Sequence, residues 1–332
     1  MLRWGILGTS FISHTMVTAI ERSRSSCITA VFGRDEARLN AFADKYNIAK
    51  RFNSIQTLLD DVEVDVIYVG LPSHLHAEAV IAAAKRGKAI LSEKSLATTM
   101  SESNAMIEAV RQADIFFLEG LMYLCHPLMV KLAEIIRSGE LGQIRSISGH
   151  YAADIGKKAN PLGMGTIYNL GCYPVSLVHF ISETAFGGDV FKVRRVHATG
   201  NVIRDGTDRV QDAALAIWFG NGVLATIQSS DSFGNDFGFV INGEKASLRF
   251  KSNPWLPSGG ENVIEIKQYG GATKQVVVNA QHDAFDCQVR TVEDCVSAGL
   301  KQAPRPSPNW THSLEIMSLL TEWEEHIMRA SI

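Results

Sequence analysis

Short runs of β-branched and aromatic residues alternate with helix-like stretches through the first third of the chain. Residues 64–71 form a nearly continuous apolar run, as expected of a central strand that is covered on both faces. Strands that alternate with crossover helices form a parallel sheet, because each helix returns the chain to the same end of the sheet. The alternation predicts a doubly wound α/β (Rossmann) domain.

The pattern changes from about Leu121. Many short strand-like runs follow between residues 193 and 278, and turns rich in Gly and Asn separate several of them, which favours an antiparallel sheet. Because 332 residues fit two domains, we predict a dinucleotide-binding Rossmann domain over 1–120 and a second domain over 121–332. The second is predicted to be α+β, with a large, mainly antiparallel sheet.

Composition excludes several classes of protein. The 32 Lys and Arg residues nearly balance the 35 Asp and Glu residues, so bulk charge does not favour nucleic-acid binding. The sequence contains no run of 18 apolar residues, so it predicts no membrane-spanning helix. Five scattered cysteines without C-x-x-C spacing favour a reducing, cytoplasmic setting, and the histidines lack the spacing of a metal site. We expect a cytoplasmic protein that binds neither metal nor membrane.

The first predicted strand runs into Gly8-Thr9-Ser10-Phe11-Ile12-Ser13. This segment occupies the place of the dinucleotide fingerprint G-x-G-x-x-G/A, with Ser10 and Ser13 in place of the second and third glycines. Serine is small enough for the backbone to approach a pyrophosphate, and its hydroxyl can bond one. The alternative is an ordinary βα turn that binds nothing.

Gly33 and Arg34 end the second predicted strand. A carboxylate there would bind the adenosine ribose hydroxyls of NAD(H), whereas the Arg34 guanidinium can bind the 2′-phosphate of NADP(H). The sequence therefore predicts a preference for NADP(H), with NAD(H) still possible. The alternative is that Arg34 is a solvated residue paired with Asp35.

Four later segments resemble one family. Their sequences are Leu71-Pro72-Ser73-His74-Leu75-His76, Ser92-Glu93-Lys94-Ser95-Leu96-Ala97, Leu118 to Tyr123 with His126-Pro127, and Asn169-Leu170-Gly171-Cys172-Tyr173. In their order and spacing they resemble the Gfo/Idh/MocA oxidoreductases over essentially the whole chain. The resemblance is closest to the branch that includes dimeric dihydrodiol dehydrogenases and glucose-fructose oxidoreductase.

The resemblance implies a role for each matching residue. Lys94, after Glu93, would hydrogen-bond the cofactor ribose and the reacting oxygen, and Tyr173 would be the general acid/base. The cofactor would also contact the turn that follows the apolar run of residues 64–71. The substrate would contact a separate set of residues. The implied cofactor residues of that turn are Leu71, Pro72, Ser73 and His76, and the implied substrate residues are Asn169, His126 and Tyr168.

The chemistry of Lys94 and Tyr173 is coherent without the family. Hydride transfer to a carbonyl carbon builds negative charge on the oxygen, which a nearby cation and a proton donor stabilise. A tyrosine ordinarily titrates near pH 10, and a nearby ammonium favours its ionised form. The alternatives are a solvated loop lysine and a tyrosine packed in the core, and packing is equally open for His126 and Tyr168.

Three departures from the family pattern bear on the substrate. Ser95 replaces the usual proline after the lysine, and Asn169 replaces the usual aspartate. A third departure is Leu124, which stands where relatives often have arginine.

We expect an NAD(P)-dependent oxidoreductase that acts on a sugar, polyol or related small molecule. It is expected to form a homodimer or homotetramer through its C-terminal sheet. The alternative, favoured by the Ser10, Ser95 and Asn169 replacements, is a nucleotide-binding regulator or sensor with little catalysis. The presence of both Lys94 and Tyr173 favours the enzyme, because a binding protein does not need them together.

Overall fold

The computed structural model describes residues 1–157 and 160–330, and the chain divides into two compact units. Unit 1 comprises Met1–Cys125 and Phe285–Leu314, and unit 2 comprises His126–Ala284 and Glu315–Ile332. The first boundary lies close to the predicted one after residue 120. The second differs from the prediction, because a C-terminal segment returns to unit 1.

Unit 1 contains a six-stranded parallel sheet in the order β3-β2-β1-β4-β5-β6. This is the strand order of a dinucleotide-binding doubly wound fold, so the predicted fold class is confirmed. The strands are β1 Leu2–Leu7, β2 Ser26–Phe32, β3 Lys50–Phe52, β4 Val66–Val69, β5 Ala89–Glu93 and β6 Phe117–Gly120. The helices between them are α1 Phe11–Arg22, α2 Glu36–Lys45, α3 Ile55–Leu59, α4 His76–Ala84 and α5 Met100–Ala113.

The sequence analysis did not predict β3 and α3. Strand β3 is only Lys50-Arg51-Phe52, and its two charged residues hide the strand pattern. Helix α3 spans five residues, which is too short to show helical periodicity. Strand β4 is fully buried along its length, as expected for the apolar run over 64–71.

Unit 2 contains an eight-stranded sheet in the order β14-β13-β12-β11-β7-β10-β9-β8. The neighbours β7 and β10 are parallel, and the other neighbouring pairs are antiparallel, as predicted for a mainly antiparallel sheet. The strands are β7 Ile144–Ala153, β8 Arg194–Ile203, β9 Arg209–Phe219, β10 Leu224–Ser230, β11 Asn235–Gly243, β12 Ala246–Phe250, β13 Gly260–Gln268 and β14 Thr273–Ala280.

Two helices of unit 2 begin within the segments that resemble the family. Helix α6 spans Pro127–Arg137 and helix α7 spans Cys172–Phe186. A π-helical turn, Ile167–Gly171, leads directly into α7 and carries Asn169. Such turns inside helices occur frequently at functional sites.

The chain ends with helices α8, Ala284–Ser297, and α9, Trp310–Ala330. Helix α8 belongs to unit 1, because Val289 and Val292 lie in the same apolar core as Trp4. The predicted second domain, 121–332, therefore included a helix that packs into unit 1, because no local pattern specifies which sheet a helix contacts. Within the described part of the chain, no helix is long and apolar enough to cross a membrane.

Candidate active site

The turn between β1 and α1 requires glycine at position 8. Gly8 has a φ of +103°, and a Cβ there would lie 2.9 Å from the carbonyl oxygen of Gly70. The Ser10 hydroxyl donates a hydrogen bond to that carbonyl oxygen at 3.0 Å and lies 3.1 Å from the Ser13 hydroxyl. These contacts join the turn after β1 to the end of β4.

The start of α1 is suited to a phosphate group. The Ser10 side chain does not cap the helix, and the first turn contains no acidic residue. The first backbone N–H groups and the positive end of the helix dipole therefore favour an anion there. Thr9 and Ile12 are half-buried, and the Phe11 side chain is exposed. Together with the close approach at Gly8, these residues fit the pyrophosphate of a dinucleotide.

Gly33 and Arg34 follow β2 at the same end of the sheet as Gly8. A Cβ at Gly33 would lie 3.1 Å from the Cβ of Leu39 and 3.3 Å from the Cγ2 of Thr9, so a side chain there requires a small shift. Asp35 caps α2 by accepting a hydrogen bond from the Arg38 backbone at 2.8 Å. Arg34 is exposed and makes no ion pair among the described residues, so the alternative pairing with Asp35 is absent.

His76 connects two of the predicted cofactor segments. Its Nε2 lies 2.8 Å from the carbonyl oxygen of Leu71, and its Nδ1 lies 3.0 Å from the carbonyl oxygen of Ser95. The ring is fully buried, which lowers the pKa of His76. Because Ser95 is also buried, this contact anchors the backbone after Lys94. Leu71, Pro72 and Ser73 are half-buried.

Lys94 follows β5 directly and is half-buried. The preceding Glu93 is buried and accepts a hydrogen bond from the Tyr68 hydroxyl at 2.8 Å. Burial raises the pKa of Glu93, and the charge of Lys94 opposes that rise. The hydrogen bond from Tyr68 therefore holds the Glu93 carboxyl group beside the backbone of the predicted catalytic lysine.

Glu119, on β6, is a second buried carboxyl group that the analysis of site residues did not include. Burial raises its pKa to about 7, while a hydrogen bond from Ser313 opposes the rise. Glu93 raises this pKa further, and Lys94 lowers it. The position of Glu119 at the end of a predicted strand was visible in the sequence, but its burial was not.

In unit 2, Tyr173 lies in an aromatic cluster. Its ring is 5.4 Å from the Tyr151 ring, edge to face, and 6.2 Å from the Trp255 ring. Tyr173 is 7% exposed and Trp255 is fully buried. Trp255 donates a hydrogen bond from Nε1 to the His150 carbonyl oxygen at 3.3 Å, which fixes its ring. The cluster orients Tyr173 through ring contacts with Tyr151 on β7 and with Trp255 in the loop between β12 and β13.

The structure places two predicted substrate residues in packed positions. The Tyr168 ring is buried, and its hydroxyl donates to Glu324 Oε2 at 2.8 Å. His126 is also buried and caps α6, with Nδ1 accepting from the Leu128 backbone at 3.1 Å and Nε2 lying 3.2 Å from the Ser258 carbonyl oxygen. These contacts favour the packing alternative for both residues.

Asn169 lies one helical turn before Tyr173 and lines a cavity of about 260 Å³ within unit 2. Asp231, which follows β10, lines the same cavity and is 5% exposed. Burial raises the pKa of Asp231 to about 6, and Asp212 adds to the rise, whereas the side chain of Asn169 and the charge of Arg209 oppose it. A carboxylate therefore lies beside the position where the family pattern has aspartate.

Sequence reasoning missed Asp231, Tyr151 and Trp255. They follow or belong to elements distant in the chain from Asn169 and Tyr173, and no local motif marks them. One signal was present for Asp231, because an acidic residue directly follows a strand-like run. Its position beside Asn169 depends on the parallel pairing of β7 with β10, which the sequence did not reveal.

Comparison with protein families gives two matches. Residues 2–120 match an oxidoreductase family with an NAD-binding Rossmann fold, the GFO/IDH/MocA family. Residues 129–249 match the GFO/IDH/MocA C-terminal domain. The two matches together cover most of the chain.

Three similar proteins illustrate the match. D-xylose 1-dehydrogenase (NADP(+)) 2 of Haloferax volcanii is 32% identical over 88% of this chain and 87% of its own length. Trans-1,2-dihydrobenzene-1,2-diol dehydrogenase of Danio rerio is 26% identical over 92% of this chain and 91% of its own. The structure of KijD10, a 3-ketoreductase from Actinomadura kijaniata in complex with NADP, has a TM-score of 0.84 at 24% identity and covers 98% of this chain and 97% of its own.

Proposed function

We propose, from the premise that this chain belongs to the Gfo/Idh/MocA oxidoreductase family, that it transfers hydride between NADP(H) and a sugar, polyol or related small molecule. The family match makes the chain an NAD(P)-dependent oxidoreductase with a Rossmann domain. The choice of NADP(H), the roles of Lys94 and Tyr173, and the substrate class are the proposal.

One observation carries the proposal: Gly8, Leu71 and Lys94 follow three neighbouring strands, β1, β4 and β5, of one parallel sheet. The carboxyl ends of parallel strands lie at the same end of the sheet, which is where doubly wound folds bind their ligands. The phosphate-binding turn and the predicted catalytic lysine therefore belong to one end of unit 1.

Arg34 supports NADP(H) as the preferred cofactor. Its guanidinium is exposed, makes no ion pair among the described residues, and follows β2 at the same end of the sheet. A 2′-phosphate offers such a group a charge-assisted, two-pronged hydrogen bond. The name of the D-xylose dehydrogenase relative, which specifies NADP(+), is consistent with this choice.

NADP(H), when bound, supplies or accepts the hydride. Lys94 would donate hydrogen bonds to the cofactor ribose and to the reacting oxygen of the substrate. Tyr173 gives its hydroxyl proton to that oxygen in reduction and takes the proton back in oxidation. Tyr151 and Trp255 hold the Tyr173 ring in place.

The test combines cofactor binding with turnover. NADPH binding is measured by fluorescence titration, and NADPH oxidation is followed with aldoses, ketoses and diketones, with NADP⁺ reduction by aldoses and polyols as the reverse assay. We expect Lys94→Met to weaken NADPH binding and to reduce turnover, while Lys85→Met, on an exposed helix end, changes neither. Tight NADPH binding without turnover of any substrate would instead favour the regulator or sensor.

The predicted homo-oligomer rests on the sheet of unit 2. Trp218 and Leu224 are directly opposed on β9 and β10, and both side chains are exposed, at 39% and 53%. Opposed residues of an antiparallel pair lie on one face of the sheet, so this face presents an apolar surface. Light scattering of wild type and of Trp218→Lys tests the oligomer, because a charge on a shared apolar face should dissociate it.

A further inference from the structure

The cavity in unit 2 contains a buried carboxylate to which the proposed hydride transfer gives no role. Asp231 is 5% exposed and forms no ion pair with Lys or Arg among the described residues. Burying a carboxylate without a cation costs free energy, so an apolar or amide side chain would be more stable there. A buried carboxylate that lines a cavity is therefore a candidate ligand-binding group.

The direction of the Asp231 side chain follows from strand alternation. At the end of β10, the Ser230 hydroxyl donates to Asp212 on β9 at 2.6 Å. The Ser229 hydroxyl instead lies 2.7 Å from the Thr166 hydroxyl, at the start of the π-helical turn that carries Asn169. Because successive side chains of a strand point to opposite faces, Asp231 shares the face of Ser229 and lies beside this turn.

The backbone of Asp231 is held firmly. Its carbonyl oxygen accepts hydrogen bonds from the N–H groups of Gly156 at 2.7 Å and Ile155 at 3.2 Å, and its own N–H donates to Gln211 at 3.2 Å. A Cβ at Gly156 would lie 2.9 Å from the Asp231 carbonyl oxygen and 3.3 Å from its Oδ1. The backbone that carries the carboxylate therefore has a fixed position before any ligand binds, which reduces the entropic cost of binding.

The other groups in the cavity indicate the chemistry of the ligand. Lys157 and Arg209 line it together with the carboxylates of Asp154 and Asp231. The cations disfavour an amine, and the carboxylates disfavour a phosphate. A neutral ligand with several hydroxyl groups suits this mixture, because a carboxylate accepts hydroxyl protons and the Asn169 amide both donates and accepts.

We propose that Asp231 and Asn169 together bind a hydroxyl group of a neutral sugar or polyol, and that Asp231 supplies the carboxylate acceptor that Asn169 lacks. The substrate class in this statement rests on the proposed function. Asp231 is thus a specificity-determining residue that directly follows a strand of the sheet and does not belong to the helix that carries Tyr173.

Equilibrium binding tests the proposal independently of turnover. D-Xylose, D-glucose and their monodeoxy analogues are titrated calorimetrically into the NADP⁺-saturated full-length protein at pH 7.5. We expect Asp231→Asn to weaken binding of the parent sugar about ten- to a hundred-fold, the range for a hydrogen bond to a charged group. One deoxy analogue should bind weakly to wild type and lose no further affinity in Asp231→Asn, which identifies the hydroxyl.

A transposed pair provides the sharpest control. Asn169→Asp places two carboxylates together and should weaken sugar binding, whereas Asn169→Asp combined with Asp231→Asn restores one carboxylate and one amide and should recover most of the affinity. Asp236→Asn, an exposed carboxylate on β11, should leave binding unchanged. NADPH affinity should be the same in all variants.

The outcomes separate the two proposals. Unchanged sugar affinity in Asp231→Asn, or failure of wild type to bind any of these sugars, overturns the role of Asp231. Sugar binding that depends on Asp231 but is never accompanied by hydride transfer supports this inference and overturns the proposed function.

Discussion

The nucleotide-binding end of unit 1 and the Asn169–Asp231 cavity of unit 2 differ in how the chain assembles them. In unit 1 the predicted groups follow parallel strands directly, as Gly8 follows β1 and Lys94 follows β5. In unit 2 the groups that meet come from distant elements: Asp231 after β10 lies beside Asn169 on a π-helical turn. The first site could be predicted from local order, and the second depends on strand pairing.

The two regions also place buried carboxyl groups differently. Glu119 and Glu93 in unit 1 lie close enough to Lys94 for its charge to favour their ionised forms. The pKa of Asp231 is lowered instead by the side chain of Asn169 and by the charge of Arg209, although burial raises it more. We therefore propose that the carboxyl groups in unit 1 position a cation, whereas the carboxyl group in unit 2 is available to a ligand. Four variants test this difference.

Tyr173→Phe should have the largest effect on the function of unit 2. The substitution keeps the ring contacts with Tyr151 and Trp255 and removes only the hydroxyl. Loss of a general acid should reduce kcat about 100-fold or more, while the Kd for NADPH stays the same. Tyr269→Phe, at an exposed turn, is the matched control. A kcat within a few-fold of wild type would remove Tyr173 from the mechanism.

Gly8→Ala tests whether the site in unit 1 depends on its turn. The new Cβ combines a positive φ with a contact of 2.9 Å to a backbone oxygen, so we expect a loss of about 3 kcal/mol in the free energy of unfolding. NADPH binding should weaken as well. Gly87→Ala, with a φ of +66° but open space around it, should cost only about 1 kcal/mol. Equal losses for both variants would show that the close approach at Gly8 has no energetic weight.

Arg34→Ala tests cofactor choice in unit 1. The variant should weaken NADPH binding about ten- to a hundred-fold and leave NADH binding nearly unchanged, since only NADPH carries the 2′-phosphate. The loss should shrink at high salt, which screens the exposed pair. Arg24→Ala, an exposed arginine before β2, should affect neither dissociation constant. Equal weakening of both cofactors would contradict the NADP(H) preference.

Asp231→Asn should give the smallest effect, a gain in stability. Burial raises the pKa of Asp231 from 3.8 to about 6, so the carboxylate destabilises the folded state above pH 6. The neutral amide should raise the free energy of unfolding by about 1 to 2 kcal/mol at pH 8, and the gain should disappear at about pH 2, where the carboxyl group is protonated in both the folded and the unfolded state. Urea unfolding at both pH values measures it, with Asp236→Asn as the control. A loss of stability at pH 8 would show that the Asp231 carboxylate stabilises the folded state. That result would contradict the proposed difference between the carboxyl groups of the two units.

Individual helices and strands show how much of the fold local sequence patterns can predict. The apolar stripe of α1 and the first-turn Pro127 of α6 are local features, and they specify helices without any distant contact. Strand β3 was missed because three residues carry too little pattern. Helix α8 lies within the predicted second domain, 121–332, but packs into unit 1, because the apolar face that includes Val289 does not specify its partner.

The sequence by itself determined the class of unit 1, the turn at Gly8, the position of Lys94 after a strand, and the motif that carries Asn169 and Tyr173. Each depends on residues that are adjacent or one helical turn apart, so short-range sterics and periodicity suffice. Only the tertiary structure decided that Tyr168 and His126 are buried, that Trp255 holds the Tyr173 ring, and that Asp231 lies beside Asn169. These facts depend on the pairing of strands far apart in the chain, because the depth of burial and the position of a charge are set by neighbours that no local pattern identifies.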